Sequence, residues 1–153
     1  MGSEMMVQKI RQGIVVDHIK AGIGLAILEM LAGDLKGRAV LLHNAFSRKL
    51  GRKDVLKIEF GLSDGRELQL ISLFSPGATL NWIEDWEVVR KEKVEPPEFV
   101  EGMLRCPNPK CISNDPIEKR FLKSRFRLEG DSYFCVYCGA SINRNSVSEH
   151  VIV

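Results

Sequence analysis

Long apolar runs are missing: nothing in the 153 residues approaches the roughly 18 consecutive apolar positions of a membrane-spanning helix, so no membrane segment is expected. Charge of one sign is missing too. The formal net charge is +2, with 14 basic and 13 acidic side chains in residues 1–97 and 8 and 7 in residues 98–153. That balance argues against a dedicated nucleic-acid binder, whose footprint is strongly basic. Histidine is scarce, limited to His18, His43 and His150. No G-x-x-x-x-G-K phosphate loop occurs and no nucleophile–base pair can be placed, so catalysis is not expected. Internal repeats and low-complexity tracts are absent. The opening Met1-Gly-Ser-Glu4 carries no basic run leading into an apolar core, which predicts a cytoplasmic protein.

Cysteine is absent from the first 105 residues, and all four then fall in the last third, as Cys106 with Cys111 and Cys135 with Cys138. The chain divides before them. Arg90-Lys-Glu-Lys-Val-Glu-Pro-Pro-Glu98 is charged, and its Pro96-Pro97 pair can extend neither a helix nor an inner strand. Lys91–Glu98 therefore reads as a linker, with domains at 1–95 and 96–153.

The first domain alternates strands and helices. Met6–Ile19, broken by Gly13, reads as a strand with a bend or as two short strands; Gly22–Leu31 reads as a helix with Ile23, Ala26, Ile27, Met30 and Leu31 on one stripe. Arg38–Phe46 is a strand, Ser47–Arg52 an exposed loop, and Asp54–Phe60 alternates as a half-buried strand does. Asp64 with Glu67 three residues on announces a second helix by a capping box, with Leu68, Ile71 and Phe74 inward. Thr79–Ile83 and Trp86–Val89 form a hairpin around Glu84-Asp85. The order predicts an α+β fold: a ferredoxin-like antiparallel sheet with two helices on one face and one extra strand, followed by a small all-β zinc-binding domain.

The cysteine spacing, C-x4-C, 23 residues, then C-x-x-C, presents two close thiolate pairs from two turns. Four thiolates suit one tetrahedral zinc and leave no open position for catalysis. A unit of this size is short of core, and a metal is the natural staple. Unligated or disulfide-bonded cysteines and a rubredoxin-type iron are the other readings. Gly139 after the second pair permits a positive φ.

Several stretches, in order, resemble the regulatory chain of aspartate carbamoyltransferase. They are Ile14-Val-Val-Asp-His-Ile19, Gly51-Arg-Lys-Asp-Val-Leu-Lys-Ile-Glu59, Ser75-Pro-Gly-Ala-Thr-Leu-Asn-Trp-Ile83, Trp86-Glu-Val-Val89 and Cys106-Pro-Asn-Pro-Lys-Cys-Ile-Ser113. The resemblance covers about residues 5–153. It implies a non-catalytic subunit of pyrimidine biosynthesis whose first domain binds CTP, ATP and UTP as allosteric effectors and forms a homodimer. Its zinc domain would hold the catalytic chain.

The resemblance also implies site residues. Asp17, His18, Lys57, Asn81, Ile83 and Lys91 would bind nucleotide; Lys9 and Ile10, with Val7 and Val15, would lie beside the base, and Trp86 and Val88 would close the other side. Asn108 would meet the catalytic chain, whereas Lys110 departs from the family's uncharged residue. Trp86 and Lys9 are departures as well, a tryptophan for a tyrosine and a lysine for a small apolar residue. By residue type alone, each of these has a plainer reading. His18 is a polar strand end, Asp17 a turn cap, Lys57 a solvated position on an alternating strand, Lys91 a linker lysine and Asn81 a hairpin hydrogen bonder. Arg52 and Lys53 read as dimer or catalytic-chain contacts. The competing function is a zinc-ribbon nucleic-acid binder, supported by the basic–aromatic run Lys119–Arg127 and opposed by Glu98, Glu101 and Glu118.

Overall fold

The computed structural model describes residues 9–60 and 65–152. They form two compact units that divide between Glu95 and Pro96. The first contains β1 (Gly13–Lys20), α1 (Gly24–Leu31), β2 (Ala39–Ser47), β3 (Gly51–Glu59), α2 (Gly65–Phe74), β4 (Thr79–Glu84) and β5 (Glu87–Lys93). The strands lie in the order β2-β3-β1-β4-β5, every neighbour antiparallel. This is the ferredoxin-like sheet, with β5 added at one edge.

Period-two alternation sorts the central strands into two faces. Ile14 pairs with Ile58, and Val16 with both Leu56 and Leu80, so these side chains share one face and are buried. Ile27 and Leu31 of α1 and Leu70, Ile71, Leu73 and Phe74 of α2 are the buried positions that cover them. Leu68, expected inward, is only half-buried.

Several boundaries differ from the sequence reading; the strand read from Met6 begins, among the described residues, only at Gly13. The loop expected at Ser47–Arg52 shrinks to a turn at 48–50, because β2 runs to Ser47 and β3 starts at Gly51; the Ser47 hydroxyl accepts from the Leu50 N–H at 3.1 Å. Lys91 lies inside β5 and not in a linker. Every β5 residue is exposed because it is an edge strand, and its charges are the usual guard against edge-to-edge pairing. The helix expected from Gly22 starts at Gly24. Asp64 of the expected capping box, and Met6 and Val7, lie outside the described residues.

One buried carboxylate ties these parts together. Asp54 on β3 has no exposed surface. Its Oδ2 accepts from the backbone N–H of Gly22 (3.0 Å) and Gly24 (2.9 Å) at the start of α1. Its Oδ1 accepts from the Asn44 N–H at 2.8 Å and meets His43 Nδ1 at 2.9 Å. Asn44 has φ +61°, at the point where β2 shifts register against β3. Glycine is required at 24, since an added Cβ would sit 2.8 Å from Asp54 Oδ2 and 2.6 Å from Leu41 Cδ1. Burial pulls the Asp54 pKa upward, but the N–H groups of Asn44, Gly24 and Gly22 and the His43 ring outweigh it, leaving it below the ordinary value.

The second unit contains β6 (Phe99–Glu101), β7 (Arg125–Glu129), β8 (Ser132–Cys135) and β9 (Ser141–Asn143), antiparallel in that order. Its core is Val100, Met103, Leu104, Phe126, Tyr133, Ile142 and Val147. Tyr133 is buried except for its hydroxyl bond to the Pro97 carbonyl at 2.9 Å, and burial pushes its pKa up to about 12. The basic–aromatic run Lys119–Arg127 is strand only from Arg125; Glu118–Arg120 is a 3-10 turn.

Replacing Asp54 by Asn or Ala leaves buried N–H donors unmatched and should cost about 2–4 kcal/mol in denaturant unfolding. A depressed carboxyl pKa gives stability that is present above about pH 4 and is lost as pH falls through the folded value. The deficit of Asp54→Asn should therefore shrink in acid.

Candidate metal centre and polar sheet face

In the second unit, two turns bring the four cysteines to one point. Ligand atoms of Cys106, Cys111, Cys135 and Cys138 all lie within 4.8 Å of one another. Cys106 and Cys138 sulfurs are 3.5 Å apart, and Cys111 and Cys135 3.7 Å. A tetrahedral ion bound at ~2.3 Å from each sulfur would set them about 3.8 Å apart, so the donors fit. No disulfide joins them.

The turns are built locally. Asn114 Nδ2 donates to the carbonyls of Cys106 (2.9 Å) and Asn108 (2.8 Å), and Asn108 Oδ1 accepts from the Lys110 N–H at 3.0 Å. In the second turn Gly139, at φ +80°, donates to the Cys135 carbonyl at 2.9 Å. Asn108 thus spends its side chain on the turn, and Lys110 is exposed.

Burial pushes the Cys106 and Cys135 thiols up; at Cys138 burial is outweighed by the Ala140 N–H and the neighbouring sulfurs and Asn108, bringing it to about 7. A cation that takes all four as thiolates must displace protons, and it resolves the cost of burying them.

In the first unit, the face of the sheet opposite the helices is polar and half-buried. Lys57, Val15, Asn81 and Lys91 pair in turn across β3, β1, β4 and β5, forming one cross-strand row. With strands ~4.8 Å apart, Lys57 and Lys91 stand about 14 Å apart. Asn81 Nδ2 donates to the Val15 carbonyl at 3.2 Å. The Lys57 pKa is lowered by burial and then by the positive charge of Lys9, so two cations converge at this end of the row.

The next row holds Asp17, opposite Thr79. Asp17 Oδ1 meets Lys53 Nζ at 2.8 Å and accepts the His18 N–H at 2.6 Å; His18 Nδ1 lies 3.3 Å from Thr79 Oγ1. His18 has φ +59°, within a break in the β1–β3 register. Burial raises the Asp17 pKa, but Lys53 and the His18 N–H outweigh it and hold it low. On the other side, Ile83 is buried opposite Gly13 and Val88, and Val88 is exposed. Ile10 is half-buried and Lys9 exposed, both before β1.

Trp86 sits in the β4–β5 turn and not in a strand. Asp85 and Trp86 both have positive φ, +48° and +72°, the backbone of a two-residue hairpin turn that matches strand twist. The Trp86 N–H donates to the Arg11 carbonyl at 3.0 Å. Thr79 is a member of this cluster that the residue pattern did not single out, and Lys53, read as a dimer or catalytic-chain contact, lies here against Asp17. The antiparallel pairing of β1 with β3 brings Lys53 to Asp17, and no spacing along the chain signals it.

The profile of the aspartate carbamoyltransferase regulatory chain allosteric domain matches residues 5–95, and that of its metal binding domain matches residues 98–148. The chain belongs to this family. A regulatory chain from Staphylothermus marinus is 43% identical over 97% of this chain and 93% of its own. One from Pyrobaculum neutrophilum is 46% identical over 91% and 94%, and one from Saccharolobus islandicus is 38% identical over 97% and 95%. Regulatory chains of this family are non-catalytic, and the four-cysteine unit of this one supports a structural metal ion.

Chelation should act on one unit alone. With the metal removed, or in Cys135→Ser, amide exchange protection should collapse across β6–β9 and persist in β1–β5. Retained protection in β6–β9 would contradict a structural role for the ion.

Proposed function

We propose that this regulatory chain binds CTP, ATP and UTP as allosteric effectors on the polar face of its first unit and holds an aspartate carbamoyltransferase catalytic chain through its zinc unit. The observation that carries the reading is the cross-strand row Lys57–Val15–Asn81–Lys91, which sets cations at both ends of a shallow, half-buried strip. Triphosphates need clustered cations, and bases need hydrogen-bonding groups beside an apolar wall. Lys57 and Lys9, with His18 nearby, meet the first need; Lys91 lies at the far end of the row. Asn81, Ile10, Ile83, Val88 and Trp86 meet the second, and Asp17, steadied by Lys53, suits a ribose hydroxyl. Lys9 and Lys57 bring two positive charges to one end of the row, where a phosphate group is attracted.

The ion is zinc, which takes four thiolates without redox change. The second unit meets the catalytic chain beside the first metal turn at Asn108, and the first unit pairs with a second copy of itself. The protein is cytoplasmic. No described helix is long and apolar enough to cross a membrane. The nucleic-acid reading loses support because β7 pairs its arginines with acids, Arg125 with Glu101 at 3.5 Å and Arg127 with Glu129 at 3.1 Å.

Mixing the zinc-loaded chain with the catalytic chain and following aspartate saturation with and without each nucleotide tests both halves. A larger assembly whose curve moves with nucleotide is expected. Lys57→Gln should weaken the nucleotide effect about tenfold while assembly persists. Assembly with no response to any of the three nucleotides would reject effector binding; failure to assemble would reject the partner role.

A further inference from the structure

Residues between Gly102 and Ile152 line an open cavity of about 890 Å³ that neither the metal nor the proposed effectors use. Its walls include Arg105, Lys119, Lys123, Ser124, Glu149 and His150. Three permanent cations and a histidine thus face a space with one acid among those six. The arginines of neighbouring β7 have acidic partners; no carboxylate lies within 4.0 Å of the charged groups of Arg105, Lys119 or Lys123 among the described residues.

A second, independent feature lies in the same wall. Ser124 is 6% exposed, and its hydroxyl is the one buried side-chain polar atom without a hydrogen-bond partner among the described residues. Such a group costs free energy unless an acceptor reaches it, and native proteins keep few of them. A recessed donor in a wall that also carries cations without acidic partners suits a small oxyanion better than the broad surface of a protein.

We propose that this cavity binds a phosphate group, free or carried on a small molecule. Phosphate supplies several acceptor oxygens, matching the Arg105 guanidinium, the two ammonium groups and the Ser124 hydroxyl together. The volume is within the range of small-molecule sites and leaves room for an organic substituent. Cys106 and Asn114 line the same space, and Asn114 ties the first metal turn by its two carbonyl contacts. A bound phosphate therefore braces the turn that supplies two of the four sulfurs, and metal loss slows when it is present. The site is separate from the sheet face, and its failure would leave the effector reading untouched.

The zinc-loaded full chain is titrated with inorganic phosphate at fixed ionic strength while backbone amides are followed by NMR. Saturable shifts at Lys119, Ser124 and His150 are expected, with slower zinc transfer to a chelator. Lys123→Gln with Arg105→Gln should weaken binding about tenfold. Ser124→Ala should also weaken it without lowering the Tm of the phosphate-free chain, since an unmatched hydroxyl is removed. A parallel titration with phenyl phosphate separates the two sources: tighter binding assigns a phosphomonoester, and equal binding assigns free phosphate. Unchanged affinity in the variants, or shifts confined to residues 9–95, would overturn the proposal. So would cavity amides that ignore phosphate and move only when the catalytic chain is added, which would assign the groove to that contact.

Discussion

At the edge of the first unit's core, a single carboxylate accepts hydrogen bonds from three backbone N–H groups and meets a histidine ring. Asp54 fixes where α1 begins, because its Oδ2 holds Gly22 and Gly24, and where β2 bends, because its Oδ1 holds Asn44. A buried charge is tolerated only when its acceptors are matched, and here both oxygens are. The start of α1 and the break in β2 are thereby set from β3, the strand that also carries Lys57. The packing of helices on one face and the polar row on the other refer back to this fixed strand.

Register then decides what the polar face can do. A slip of one residue would turn Lys57, Asn81 and Lys91 into the core and bring Leu56 and Leu80 out. Burial of Ile14, Val16, Leu56, Ile58 and Leu80 makes that slip too costly, so the apolar face specifies the polar one. The same register sets Lys57 on the polar face at the end of the row that Lys9 also reaches.

The second unit solves a different problem. Four short strands and a core of seven apolar side chains leave the two cysteine turns with little to hold them but local hydrogen bonds. The metal replaces core. The same economy leaves a cavity beside the first metal turn, lined in part by cations that have no acidic partner among the described residues.

Much was legible in the residues. Alternation in Asp54–Phe60 and the apolar stripe of α1 announced the sheet and its covering helices, and the cysteine spacing announced a metal, because periodicity and ligand count are local properties. Where charge and strand propensity conflicted, the sequence misled: Arg90-Lys-Glu-Lys93 reads as linker, yet an edge strand tolerates exposed charge on both sides. Trp86 read as strand, yet two positive-φ residues were needed to close the hairpin. What the sequence by itself determined was the alternation that makes two faces and the four thiols that need one ion. Only the tertiary structure decided which polar residues meet. Lys53 reaches Asp17 across the β1–β3 pairing, four strands bring Lys57, Val15, Asn81 and Lys91 into line, and Ser124 is left without a partner in a wall that also carries cations without acidic partners. These are consequences of long-range strand pairing, which no spacing along the chain encodes.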